Sequence, residues 1–470
     1  FENKINSYLL ILFLLIVTQS SNLNYETIDS DINSYLVASQ DVLRGNLPYE
    51  NQWESKTPML YIFYSFIILL SGKNLFVFKI LNDLILFCIC ILILKIIKHH
   101  NPNEKILGLS SVLLYICLVS FDWAQTEYSE IYVTLFLSIA YLVFLKSDNN
   151  IIKVFLSGLV FSIATLINQG SLLFIVPFMM LIFIKKINIL KSLAVFSFGV
   201  LIPHLIVSIL YITNGLMDIY VMTLFTIPLD YTQTDFSLIN EAVVFLKSVY
   251  EYNFLLFFIL VNISVFLICS AAGLLVNRHK TDEFLKINIG YLFFFMSSIV
   301  FYLVAAKGYF HHTLFGIFFF VFLANQFIDI KIKAYLAFTI LICSLSIFFS
   351  SFKSSYDNLT NYESTYNNYP LKQLSKEIDT YFDYDYSVLA LDYNLILFYL
   401  DKPNFSYIVH SRNHFEEFIL NNLKELNKVE DDYIRWLIDQ EPDVILCSGT
   451  QIINGEVTQL NEFNCEVSDY

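Results

Sequence analysis

The sequence predicts an all-α polytopic membrane bundle, with juxtamembrane helices in its first outer loop and a small C-terminal α/β domain outside the membrane. Three observations predict it. The 470 residues are 56% apolar and 17% aromatic, and only 15% carry charge, with a mean hydropathy of +0.60. Long apolar runs recur along most of the chain. Acidity gathers at the C-terminal end, where residues 352–470 hold 21 acids against 8 bases. This composition excludes a disordered chain, a disulfide scaffold and an ordinary cytosolic enzyme, which carries about 25% charge. A net charge of −14 also points away from nucleic acid, which rewards clustered Lys and Arg.

A spanning helix needs ~20 mostly apolar residues. The chain offers eleven such stretches: 5–22, 76–97, 106–122, 130–146, 152–168, 171–186, 190–212, 253–276, 285–306, 312–328 and 332–350. The first has no small-residue cleavage site and is expected to remain as a helix rather than a signal peptide. With the N-terminus inside, the inner connections hold 14 basic residues and the outer ones 6. That asymmetry is the positive-inside bias. Eleven crossings place the acidic end outside. The expected division is therefore a transmembrane domain over 1–351 and an extracytoplasmic domain over 352–470. The setting expected is a bacterial inner membrane.

Thr57 to Leu70 is apolar but short, and a crossing there would reverse the basic bias. It is expected to lie at the outer surface. Cys88, Cys90, Cys117, Cys269 and Cys343 sit in apolar runs and read as small hydrophobes. Cys447 and Cys465 are the only two in the acidic end, and an oxidising compartment permits their pairing. Within that end, Ser387–Leu391 and Asp443–Leu446 read as short strands, and Phe415–Leu426 and Asp432–Asp439 as helices. No nucleophile–base constellation is legible there.

The outer loops carry the chemistry-bearing residues. The first, 23–75, is long and polar, and loops of that length usually serve function. Asp29 and Asp31 precede Ile32, Tyr35, Leu36, Val42 and Leu43, a helical spacing that stops at Gly45. Asp31 reads either as the N-cap of that short helix or as a general base. Partial desolvation and the like charge of Asp29 favour the second by raising its pKa. Next come Gly45-Asn46-Leu47-Pro48-Tyr49 and Trp53-Glu54-Ser55-Lys56-Thr57-Pro58. Lys56 is either a snorkelling anchor or, fixed by Glu54 and Pro58, a holder of an anionic headgroup. The second outer loop offers Asp122, Glu127 and Glu130, which suit a cation or an acceptor hydroxyl, or simply a solvated turn. The last offers Lys307, Tyr309, His311 and His312, which suit a phosphate, a metal or a plain interface. Lys79 and Asp83, at i and i+4, read as a structural ion pair.

The stretch DINSYLVASQDVLRGNLPYENQWESKTPMLYIFYSFIILLSG resembles the first outer loop of GT-C glycosyltransferases, nearest the protein O-mannosyltransferase-like and aminoarabinose-transferase-like groups. Asp31, Tyr35, Lys56 and Pro58 stand at the family's Asp, Tyr, Lys and last Pro. Thr126-Glu127 and the segment KGYFHHTLFGIFF are similar to later family segments. Ile32 stands where a second acid is common, Thr57 replaces a common Pro, and Asn168 replaces a frequent Lys. The resemblance implies an inverting transferase that moves a sugar from a polyprenyl-phosphate donor to a hydroxyl of a glycan, lipid or protein. Asp31 would be the base. Asp29, Tyr35, Glu54, Lys56, Glu127, Tyr309, His311 and His312 would bind substrate, with Lys56 and the histidines stabilising the departing lipid phosphate. A divalent cation is left open, and no nucleotide-binding glycine loop is present. The rival readings are a transporter or lipid flippase, which predicts mid-bilayer charges and two related halves, and a polymerase or ligase of surface polysaccharide.

Overall fold

Leu, Ile, Phe and Val dominate the long runs, and these runs fold as helices. A computed structural model describes the chain except for residues 1, 28, 101–104, 122, 123, 125, 126, 148, 149, 186, 187, 232–237, 259, 263, 265–281, 306–308, 327–329, 448, 449, 454, 455 and 460–470. It is mostly helical. Ten of the eleven expected stretches coincide with helices, from Glu2–Ser20 to Ile330–Thr360. Most of the other, 253–276, lies outside the described residues, as do Asp122, Thr126, Cys269, Lys307 and Cys465. Among the described residues, three helices are long and apolar enough to cross a membrane: Leu75–His100, Ile189–Thr213 and Ala337–Thr360. The remaining apolar helices are shorter.

The chain divides into two units. The first comprises 1–24, 76–210 and 231–362. Here Ser129–Leu145 pairs with Ile151–Ile167, Glu2–Ser20 packs on Ile330–Thr360, and Asp282–Ala305 packs on Leu314–Gln326. Small residues set the closest approach. A Cβ on Gly158 would stand 2.4 Å from the Phe196 carbonyl oxygen, and one on Gly199 would stand 2.5 Å from that of Phe155. Two serine hydroxyls donate across helices at this level, Ser157 to Ala140 and Ser162 to Val200. Glycine and serine bring helix backbones together in this way when apolar burial alone gives no preference between lipid and protein. Phe174, Phe178, Phe294, Phe315 and Phe319 form the aromatic core. Ile189–Thr213 exposes Leu190, Phe198, Leu201, Leu205, Ile206 and Ile209, a run of large apolar side chains on one helix.

The second unit comprises 25–75, 211–230 and 363–470. By contact, 25–75 thus groups with the C-terminal region, which begins at Glu363 in this unit. Hydrogen bonds between distant segments explain why. The Trp53 amide donates to the Tyr407 carbonyl at 2.7 Å, and the Val409 amide donates to the Trp53 carbonyl at 3.0 Å. The Gln40 side chain donates to the Phe398 carbonyl, and Gln52 donates to those of Asn404 and Ser406. The Glu26 carboxylate accepts from the Leu371 and Lys372 amides at 2.9 Å each. It supplies from a remote segment the cap that Pro370–Tyr381 lacks, since Tyr369 makes no side-chain cap bond. The expected strands form as Val388–Ala390 and Val444–Leu446, paired in parallel with Val388 opposite Val444. The expected helices form as Glu417–Glu425 and Tyr433–Ile438. A hairpin of Thr450–Ile453 and Glu456–Gln459 is additional.

Thr57 to Leu70 forms a 13-residue helix from Pro58. At 1.5 Å per residue it is ~20 Å long, short of a ~30 Å hydrocarbon core.

Candidate active site

The second unit gathers Asp29, Asp31, Tyr35, Glu54 and Lys56. The first correction concerns the cap. The helix is Ser30–Leu43, and Asp29, with φ −137° and ψ 143°, is its N-cap, accepting from the Asp31 amide at 3.1 Å. Asp31 lies one residue inside the first turn, so its carboxylate is not consumed by capping. Gly45, with φ +97°, follows the helix in the left-handed region, as the stop signal requires.

Asp31 is held from two sides. Its Oδ2 accepts from the Tyr35 hydroxyl, one turn on, at 3.2 Å. Its Oδ1 lies 2.7 Å from Nε2 of His410, a residue from the other end of the chain. The Arg412 amide donates to His410 Nδ1 at 3.1 Å. In the neutral ring the proton therefore sits on Nε2 and points at Asp31. Burial pulls the His410 pKa down, but the hydrogen bond to Asp31 and the negative charges of Asp31, Glu54 and Asp29 outweigh it, and His410 stands above the ordinary histidine value. Taking up a second proton costs the Arg412 bond. The Asp31 side chain remains 23% exposed.

Lys56 stands on the same tyrosine. Its Nζ is 6.0 Å from the centroid of the Tyr35 ring, at the outer reach of a cation–π contact. The ring itself is buried and meets Tyr64 edge-on. The backbone carrying Lys56 is clamped. Its amide donates to Glu54 Oε2 at 3.0 Å, and its carbonyl accepts from the Tyr49 hydroxyl. Glu54 also accepts from Ser55 and Tyr61, and it is almost fully buried. Its carboxylate faces the protein and fixes the loop, a different task from the substrate contact expected of it. Burial, followed by the charge of Glu54, drives the Tyr61 hydroxyl well above its usual pKa, so it remains a proton donor to that carboxylate.

The first unit holds the other expected residues, Glu127, Tyr309, His311 and His312. Glu127 and its neighbour Glu130 are buried, so this is no solvated turn. Asp83 interacts electrostatically with both Glu127 and Lys79. His311 and His312 are buried on the short turn Phe310–Thr313. His311 stacks on two phenol rings, Tyr128 at 4.4 Å and Tyr309 at 5.6 Å. The ring nitrogens of His311 and His312 and a carboxylate oxygen of Glu130 all lie within 4.8 Å of one another.

His410 is the residue that sequence reading misses. Its only signal is the string Val409-His410-Ser411-Arg412-Asn413-His414, a polar, histidine-bearing segment after an apolar stretch. No protein-family model and no curated protein matches the chain.

Proposed function

We propose that the chain is a multi-pass membrane glycosyltransferase that inverts the anomeric carbon of a polyprenyl-phosphate-linked sugar at the outer face. The observation that carries this reading is Asp31, spared from capping, hydrogen-bonded by Tyr35 and His410, with Lys56 on the same tyrosine. The resemblance of the first loop to GT-C enzymes and the exposed apolar helices support it.

In this mechanism Asp31 takes the proton of the acceptor hydroxyl. The oxygen attacks the anomeric carbon from the face opposite the lipid phosphate. The carbon–oxygen bond to phosphate breaks, and its electron pair leaves on the phosphate. Lys56 neutralises that anion. His410 acts as a positioning residue, holding Asp31 through Nε2 while its other nitrogen is fixed by the Arg412 amide. The region 363–470 then contributes to the reaction through His410. Glycan, lipid and protein remain the candidate acceptor classes.

The test is release of labelled lipid phosphate from a polyprenyl-phosphate sugar when acceptor is added to the full chain in detergent. Asp31→Asn should cut turnover about 10²–10⁴-fold with the protein still monodisperse. Lys56→Ala should mainly weaken donor use. Turnover at the wild-type level in Asp31→Asn would refute the base. Transport is the second reading, favoured by Lys79, Asp83 and Glu127, which are buried in or beside one of the most apolar helices. Movement of lipid or ion across a vesicle without bond cleavage would select it.

A further inference from the structure

We infer that Glu130, His311 and His312 form a binding site for a transition-metal dication, best suited to Zn²⁺. The inference is independent of the proposed transfer reaction. The three side chains come from two places in the first unit. Glu130 lies in the first turn of Ser129–Leu145. The histidines lie on Phe310–Thr313, which leads into Leu314–Gln326, a helix that packs against Ser129–Leu145. All three are buried, at 1%, 6% and 7% exposure. One ligand atom from each falls within 4.8 Å of the others. A modest closing of these side chains reaches metal–ligand distances of about 2.0–2.2 Å.

The donor set selects the ion. Two imidazoles and one carboxylate match zinc and its neighbours, whereas Mg²⁺ and Ca²⁺ prefer oxygen alone. Three protein ligands leave a position open to water or to an anionic oxygen. The surroundings orient the ligands, as metal sites require. Asn168 Nδ2 lies 3.3 Å from Glu130 Oε1, and the Ser129 hydroxyl donates to Oε2 at 3.1 Å. Asn168 also donates to the Ser129 hydroxyl at 3.2 Å, so one asparagine holds both. The two phenol rings fix the plane of His311, and Phe301 meets His312 edge-on. A buried carboxylate is costly unless it is paired or bound to a metal, and a dication offsets that cost here.

Co²⁺ is the probe. The full chain, purified in detergent and stripped with chelator, is titrated with Co²⁺ while the visible d–d bands are followed. The expected result is saturable uptake of one Co²⁺ per chain, displaced by Zn²⁺ and indifferent to excess Mg²⁺. Glu130→Gln and His311→Asn should each weaken uptake by at least about tenfold. Monodispersity on size exclusion checks folding, and His312→Asn replaces either variant that fails it. Absence of saturable uptake in the wild-type chain overturns the site, as does uptake that is unchanged in the folded variants. Because the readout is metal uptake, failure here leaves the Asp31 reaction standing, and failure of that reaction leaves this site standing.

Discussion

His410 and His311 are both buried imidazoles beside a carboxylate, and they are held in different ways. His410 is fixed through its nitrogens, with Asp31 at Nε2 and the Arg412 amide at Nδ1. No lone pair is left for a metal, and the only event open to the ring is proton exchange. His311 is fixed through its faces, stacked on Tyr128 and on Tyr309, with a ring nitrogen within 4.8 Å of ligand atoms of Glu130 and His312. In the roles proposed, polar clamping suits an acid–base partner and aromatic clamping suits a ligand. His414 shows the third case. It is fully buried and stacks on Tyr433. With no carboxylate to compensate, burial, followed by the charge of His410, pushes it down to about 3. Burial alone keeps a histidine neutral; an adjacent carboxylate reverses the sign.

The sharpest way to break this comparison is to exchange the readouts. Asp31→Asn should lose about 10²–10⁴-fold in turnover and keep full Co²⁺ uptake. Glu130→Gln should lose uptake whatever its turnover. Loss of both properties in both variants would mean that the two clusters are one site.

His410 gives the next largest effect, through pH. Its pKa is raised in the folded chain. Its contribution to stability is therefore complete below the ordinary histidine value of about 6.5. It is lost as pH rises through the raised folded value. Turnover should run the other way, rising over the same window, because the imidazolium opposes proton uptake by Asp31. His410→Gln should flatten both profiles. Thermal unfolding and initial rates between about pH 5.5 and about pH 9 measure them. A stability that climbs with pH in the wild-type chain but not in His410→Gln contradicts the assignment.

Packing sets the following test. Gly158→Leu drives a side chain into the Phe196 carbonyl and should cost about 1–3 kcal/mol or more, seen as a lower unfolding midpoint. The smallest effect expected is that of Glu26→Ala. It removes the remote cap of Pro370–Tyr381 and should cost about 1 kcal/mol. That loss should be seen as faster amide exchange confined to the helix's first turn.

Much of the fold was legible. Apolar runs named the helices, and Gly45 marked the end of Ser30–Leu43. The two short strands lie where their residues indicate. The cap was misplaced by two residues because Asp29 and Asp31 are chemically the same. Only backbone angles decide which of them stands outside the helix. The grouping of 25–75 with 363–470 was not legible because composition follows solvent, whereas units follow contacts. Gln40, Gln52 and Trp53 bond to residues beyond 397, and nothing local to those residues announces it.

Local composition and spacing by themselves determined the apolar helices, the acidic end, the short helix from Pro58 and the presence of Asp31 and Lys56 in one loop. These follow from periodicity and charge, which neighbours along the chain carry. Tertiary structure alone decided that His410 meets Asp31, that Glu54 holds the loop, and that Glu130 joins two histidines far along the chain. Such pairings depend on which distant surfaces bury one another, and a linear pattern does not encode that distance.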